Sequence, residues 1–194
     1  MLPRRALPWP ALAASATLAL FACHGCKATS GGGGHASPPP GVTLERMTVT
    51  SKSFPSNGQI PVDYTCDGAD KSPQLTWSAP PAGTKAFAVI VDDPDAPGGD
   101  FIHWVAFNIK GDTSSLPEAV DVTTLGGVSG TNGFNRPGYA GPCPPKMELH
   151  NYAFHVFALD TPVAAQPGAS ADDLESAMSG HVLGEGILVG NFSH

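Results

Sequence analysis

Glycine and proline interrupt this chain so often that no long helix can run through it. There are 23 glycines and 20 prolines in 194 residues, and each proline removes a backbone donor and fixes φ. Between the interruptions lie short stretches rich in branched and aromatic residues, spaced as strands and turns are in an all-β domain. Segments 43–51, 60–65, 75–79, 85–93, 103–109, 151–160 and 186–192 each read as a strand. KAFAVIVDD, residues 85–93, is nearly unbroken in its hydrophobicity, as expected of a strand covered on both faces. A single helix stands out. Ser170 offers an N-cap, Asp172 and Asp173 supply negative charge in the first turn, and Gly180 stops it. Leu174, Ala177 and Met178 form its apolar face. The fold class expected is mainly β, a sandwich with one or two short C-terminal helices.

Three regions divide the chain. Residues 1–22 have Arg4 and Arg5, an apolar stretch and then small residues, the layout of a secretory signal. LFAC, residues 20–23, resembles a bacterial lipobox, which makes Cys23 the expected lipidation site, with an ordinary signal cut near Ala22 as the alternative. The acyl chains would anchor an exported protein to the cell envelope. His24 rather than Asp follows, which favours the outer membrane. Residues 23–41 carry glycine, serine and then Pro38–Pro40, a flexible tether with a stiff end. His24, Cys26 and His35 are irregularly spaced within it, so no metal site is expected. Residues 42–194 form the folded domain.

The formal net charge is −7 with histidines neutral, and no Lys/Arg run is present. Nucleic acid is therefore excluded as an expected partner. An exported chain meets oxidising conditions, which opens a pairing of Cys66 with Cys143; the alternative is that both are small buried apolar residues.

Two stretches concentrate chemistry. DDPDAPGGDFIHW, residues 92–104, sets four carboxylates beside one imidazole directly after the buried strand. A hairpin return would carry His103 back towards Asp93, where a carboxylate would favour the protonated ring and orient it as a donor to an anion. The structural alternative is a tight turn with solvated aspartates. TNGFNRPGYAGPCPPKMELHNYAF, residues 131–154, begins as a long irregular loop, and such loops are more often functional than stabilising. Gly138 and Gly141 would let backbone N–H groups form an anion-binding concavity. His150 and Tyr152 then share one face of the following strand. His155 and His181 read as a satisfied core or edge histidine and a helix-end cap.

DPDAP at 93–97, HW at 103–104, GYAGPCPP at 138–145 and the H-x-Y of 150–152 resemble the phosphatidylethanolamine-binding protein family. YTCDGADKSPQLTW at 64–77 and residues 168–192 resemble its bacterial, Raf-kinase-inhibitor-like branch. The resemblance runs in order over about residues 45–192. It implies a Greek-key β-sandwich with a small surface pocket for phosphate-type groups, phospholipid headgroups included. The pocket residues it implies are Asp93, Asp95, His103, Gly141, Cys143, His150 and Tyr152, with Asp95 able to meet an ammonium group. Two departures stand out: Asn151 takes the place of a frequent arginine, and residues 146–149, KMEL, follow the proline pair. Met147 and Glu148 are expected to narrow the mouth, and Glu148 to repel an anion.

The function expected is a membrane-tethered binding module for a small anionic ligand, not an enzyme, with no cofactor and no metal. The alternatives are an Asp–His or Cys–His hydrolase, the latter with Cys143 as nucleophile, and a protein-interaction or inhibitor module. No G-x-S-x-G, H-E-x-x-H or P-loop pattern is present to support catalysis.

Overall fold

Ten strands and one α-helix build the domain, seen here in a computed structural model that describes residues 36–78 and 80–194. The expected signal segment, Cys23 and most of the expected tether lie outside the described residues. In chain order the strands are β1 (Glu45–Arg46), β2 (Val49–Thr50), β3 (Gly58–Gln59), β4 (Leu75–Trp77), β5 (Ala86–Asp93), β6 (Phe101–Lys110), β7 (Ser115–Leu116), β8 (Val128–Ser129), β9 (His150–Leu159) and β10 (Val182–Phe192). Helix α1 (Ala171–Met178) lies between β9 and β10.

The main sheet runs β1-β10-β9-β5-β6-β8, and β3 also pairs with β10. Its centre is an antiparallel quartet in which β9 lies between β5 and β10. A second sheet, β2-β4-β7, covers one face. Along β5 the side chains alternate between two cores. Phe87, Val89 and Val91 pack with Leu75, Trp77 and Leu116 of the small sheet. Ala86, Ala88 and Ile90 pack with Leu174 and Met178 of α1. Every residue of β5 is buried, which is why the sequence could afford no polar alternation there.

The helix forms as its sequence demands. Ser170 Oγ accepts the Asp173 N–H at 3.1 Å, and Asp173 reaches back to the Ser170 N–H at 3.2 Å, a closed capping box. Burying Leu174 and Met178 contributes about 1.5–3 kcal/mol each. Ahead of β1, the Ser37 carbonyl accepts the Gly180 N–H at 2.8 Å, so the chain at Ser37 lies against the end of α1.

Two strand expectations need correction. Residues 60–65 do not form a strand: Val62–Tyr64 is a 3₁₀ turn. Pro61 presets φ at −62° at its start, and the Thr65 backbone and hydroxyl both donate to the Val62 carbonyl. Segment 43–51 is not one strand but two. β1 joins the main sheet and β2 the small one, so the chain crosses between layers at Met47–Thr48.

Candidate functional site

A cavity of about 350 Å³ opens at the end of the main sheet where β5 finishes and β6 and β9 begin. That size suits a small ligand. Asp93, His103 and His150 line its polar part, and Ala96, Pro97, Phe101, Phe134, Cys143, Pro144 and Pro145 form the walls.

Asp93 ends β5 on the side of the sandwich core. The following loop turns back on it: the Asp95 N–H donates to Asp93 Oδ1 at 3.0 Å. Asp93 Oδ2 receives Nδ1 of His150 at 2.8 Å. These residues lie 57 positions apart and meet because β5 and β9 are adjacent. The outer nitrogen of His150, Nε2, lies 3.3 Å from Glu148 Oε2. Burial pulls the pKa of His150 down, but the two carboxylates outweigh it and hold the ring above its ordinary value. His150 is therefore the ring of the site whose charged form is favoured.

His103 reaches the cavity through a defect in the ladder. Val91 pairs with Trp104 and Asp92 with Ile102, so His103 is the extra residue of a β-bulge. Trp104 keeps its place in the core and His103 turns to the same side, edge-on to Tyr152 with ring centres 5.2 Å apart. Its Nδ1 donates to the Ala140 carbonyl at 2.7 Å. Burial lowers its pKa despite that carbonyl and the charge of Asp93. The expected protonated His103 paired with Asp93 is thus corrected: His103 is neutral, with its proton on Nδ1 and a lone pair on Nε2, and Asp93 belongs to His150. The bulge is the physical reason, because it aims the ring at the 140–141 backbone instead.

Tyr152 packs against the His103 ring, fully buried, and its hydroxyl lies next to Asp93 and the Cys143 backbone without a well-formed hydrogen bond. Burial, then the neighbouring Asp93 carboxylate, raises its pKa far above the phenol range, so it remains a neutral donor.

Asp95 and Gly141 have other tasks than those expected of them. Asp95 Oδ2 accepts both the backbone N–H and the side-chain amide of Asn151, each at 2.8 Å. These bonds lower its pKa and clamp the 94–100 loop to β9, so this oxygen is engaged rather than turned to an ammonium group. The Gly141 N–H donates to Asp70 Oδ1 at 2.6 Å, and the Gly138 N–H to the Gly130 carbonyl at 3.3 Å. Both amides are taken by acceptors of the chain itself, and the anion-binding concavity expected of them does not form. Gly141 is instead required for close approach: a Cβ there would sit 2.3 Å from the Tyr64 carbonyl oxygen.

The wall is held covalently as well. Cys143 is bonded to Cys66, and the Cys66 N–H donates to the Pro142 carbonyl at 3.1 Å. The disulfide leaves Cys143 no thiol, which removes it as a nucleophile. Asn132 was not singled out by sequence, yet it organises the loop. Its Nδ2 donates to Gly138 O, and its Oδ1 accepts the N–H groups of Phe134 and Arg136. The pattern Asn-Gly within a turn was the available signal. Among the described residues, one further cluster has metal-ligand character, Cys66, Cys143 and His194, and its two sulfurs are joined to each other. No helix of the described residues is long and apolar enough to cross a membrane.

A sandwich with this cavity at the end of its larger sheet defines a class, and the comparisons with known proteins agree with it. The profile of the phosphatidylethanolamine-binding protein family matches residues 50–193, and the chain belongs to that family. A UPF0098 protein of Methanothermobacter thermautotrophicus is 47% identical over 147 residues, covering 74% of this chain and 97% of that protein. A Mycobacterium tuberculosis protein named "Putative lipoprotein LppC" is 35% identical over 192 residues, covering 92% of this chain and 94% of its own. Among solved structures, Escherichia coli YbcL, described as a new member of the mammalian family, superposes with a TM-score of 0.71 at 34% identity, covering 76% of this chain and 98% of that one.

Proposed function

We propose that the protein is an envelope-tethered binding module for a small anionic ligand of phosphate or phospholipid-headgroup type. The observation that carries this reading is that two buried imidazoles meet at one small cavity, His150 with its charged form favoured by Asp93 and Glu148, and His103 with its charged form disfavoured by burial. His150 supplies a charge-assisted donor, and His103 a lone pair that suits the P–OH of a phosphate monoanion. Apolar walls weaken competition from water and strengthen each contact. The disulfide at Cys143 favours binding over a Cys–His hydrolase, since that chemistry needs a thiolate. The tether rests on Cys23 and on the likeness to a relative named as a lipoprotein.

Titration with phosphate or phosphoethanolamine, followed through the histidine ring signals by NMR, tests the site. His103 and His150 are expected to shift at millimolar ligand, and His150→Ala to abolish the response. Rings that ignore both ligands would overturn the reading. For the anchor, Cys23→Ser is expected to move the protein from the detergent phase to the aqueous phase, and unchanged partitioning would refute it.

A further inference from the structure

The turn that leads into β9 carries a strain and a contact that belong together. The Glu148 N–H donates to the Pro145 carbonyl at 3.1 Å, closing a four-residue turn. Its third residue, Met147, has φ of 69°, the left-handed region that unbranched side chains enter only at a cost. Met147 is 94% exposed, so packing of its own side chain does not hold it there. The turn reverses the chain so that the Glu148 carboxylate reaches the outer nitrogen of His150 at 3.3 Å. The other nitrogen is held by Asp93. The Glu148 side chain is 55% exposed while His150 and Asp93 are 4% and 5%. One member of this triad can therefore swing into water and the other two cannot.

We propose that Glu148 is a built-in competitor at the anion site: its carboxylate occupies the outer nitrogen of His150, and an external anion must displace it to bind. This deepens the reading above and rests on it. The charged and titratable groups that face His150 are Asp93 from β5, Asp95 from the loop after it, His103 from β6 and Glu148 itself. Glu148 is the member whose side chain is free to leave. A second consequence concerns the charge of the guest. A phosphate dianion meets the carboxylates of both Asp93 and Glu148, so singly charged anions and zwitterions are favoured over dianions. A side chain on the ligand that carries an ammonium group would find the displaced Glu148 at the mouth.

The test compares the full-length protein with Glu148→Gln and Glu148→Asp by NMR of the histidine rings. Without added anion, the ring of His150 is expected to titrate at lower pH in Glu148→Gln, which reports the contact itself. Inorganic phosphate is then expected to bind Glu148→Gln about two- to fivefold more tightly, the scale of an exposed ion pair. Glu148→Asp keeps the charge but shortens the reach, and is expected to follow Glu148→Gln. Wild-type binding that is unchanged or stronger than in Glu148→Gln would overturn the competitor and leave the binding reading standing. Glu148→Asp behaving as wild type would overturn it in favour of diffuse repulsion. Phosphate that shifts no ring in any of the three proteins would remove the binding reading and this proposal with it.

Discussion

Asp92 and Asp93 are neighbours on β5, and each lies within ion-pair distance of a histidine of β9, but on opposite faces of the sheet. Asp93 takes His150 on the sandwich side. Asp92 lies 3.1 Å from Nε2 of His155 on the helix side, and Glu185 of β10 accepts from Nδ1 of that ring at 2.9 Å. The chemistry is the same, an imidazole between two carboxylates. The surroundings differ. The outer partner of His155 is Glu185, whose side chain is 19% exposed within a strand. The outer partner of His150 is Glu148, 55% exposed on a turn beside a cavity. One triad is a closed staple across three strands and the other has an opening. Charge pairing alone does not mark a functional site; access to a partner that can be exchanged does.

Four measurements would break or sharpen that contrast. The largest effect is expected at the pocket wall. Replacing Cys66 and Cys143 together by alanine frees a loop whose ends are 77 positions apart and should cost about 4 kcal/mol in urea unfolding. It should also blur the phosphate response of His150, because the wall moves. Stability unchanged by the double substitution would show that the loop hydrogen bonds suffice without the bond.

Next comes the closed triad. His155→Leu leaves Asp92 and Glu185 without their shared cation and should destabilise by about 3 kcal/mol. His150→Ala should cost nearer 1–2 kcal/mol, since water entering by the cavity can solvate Asp93. Equal losses for the two would erase the distinction drawn here.

The pH dependence follows from His155. Burial opposes its charge, but Asp92 and Glu185 raise its pKa from 6.5 to about 9. A pKa raised in the folded state gives stability that is complete below 6.5 and lost as pH rises through about 9. The loss between neutral and alkaline pH should be of order 3 kcal/mol in wild type, and should vanish in His155→Leu. A wild type with equal urea midpoints across that range would contradict the closed imidazolium. The smallest effect is the helix cap: Ser170→Ala should cost about 1 kcal/mol and leave both triads untouched.

Much of this was legible in the residues. The unbroken apolar run of β5 announced a strand covered on both faces, and the Ser170–Asp173 signals placed α1 correctly. The motifs at 93–97, 103–104, 138–145 and 150–152 drew attention to the segments that meet at the cavity. What stayed hidden were partnerships. The assignment of Asp93 to His103 followed sequence proximity, whereas the pairing of β5 with β9 hands it to His150. The glycine amides looked free because nothing local shows that Asp70, 71 residues away, accepts one of them. Asp95 looked available because its clamp, Asn151, lies 56 residues on.

The amino-acid order by itself determined which segments extend, where they turn and which face of each strand is apolar, because propensity, alternation and turn chemistry act over a few residues. Tertiary structure alone decided which imidazole has a carboxylate partner, which donors are already taken and on which side of the sheet each carboxylate works. Those outcomes depend on strand register and on one bulge at His103, and a shift of a single residue in either would send the same side chains to the opposite face.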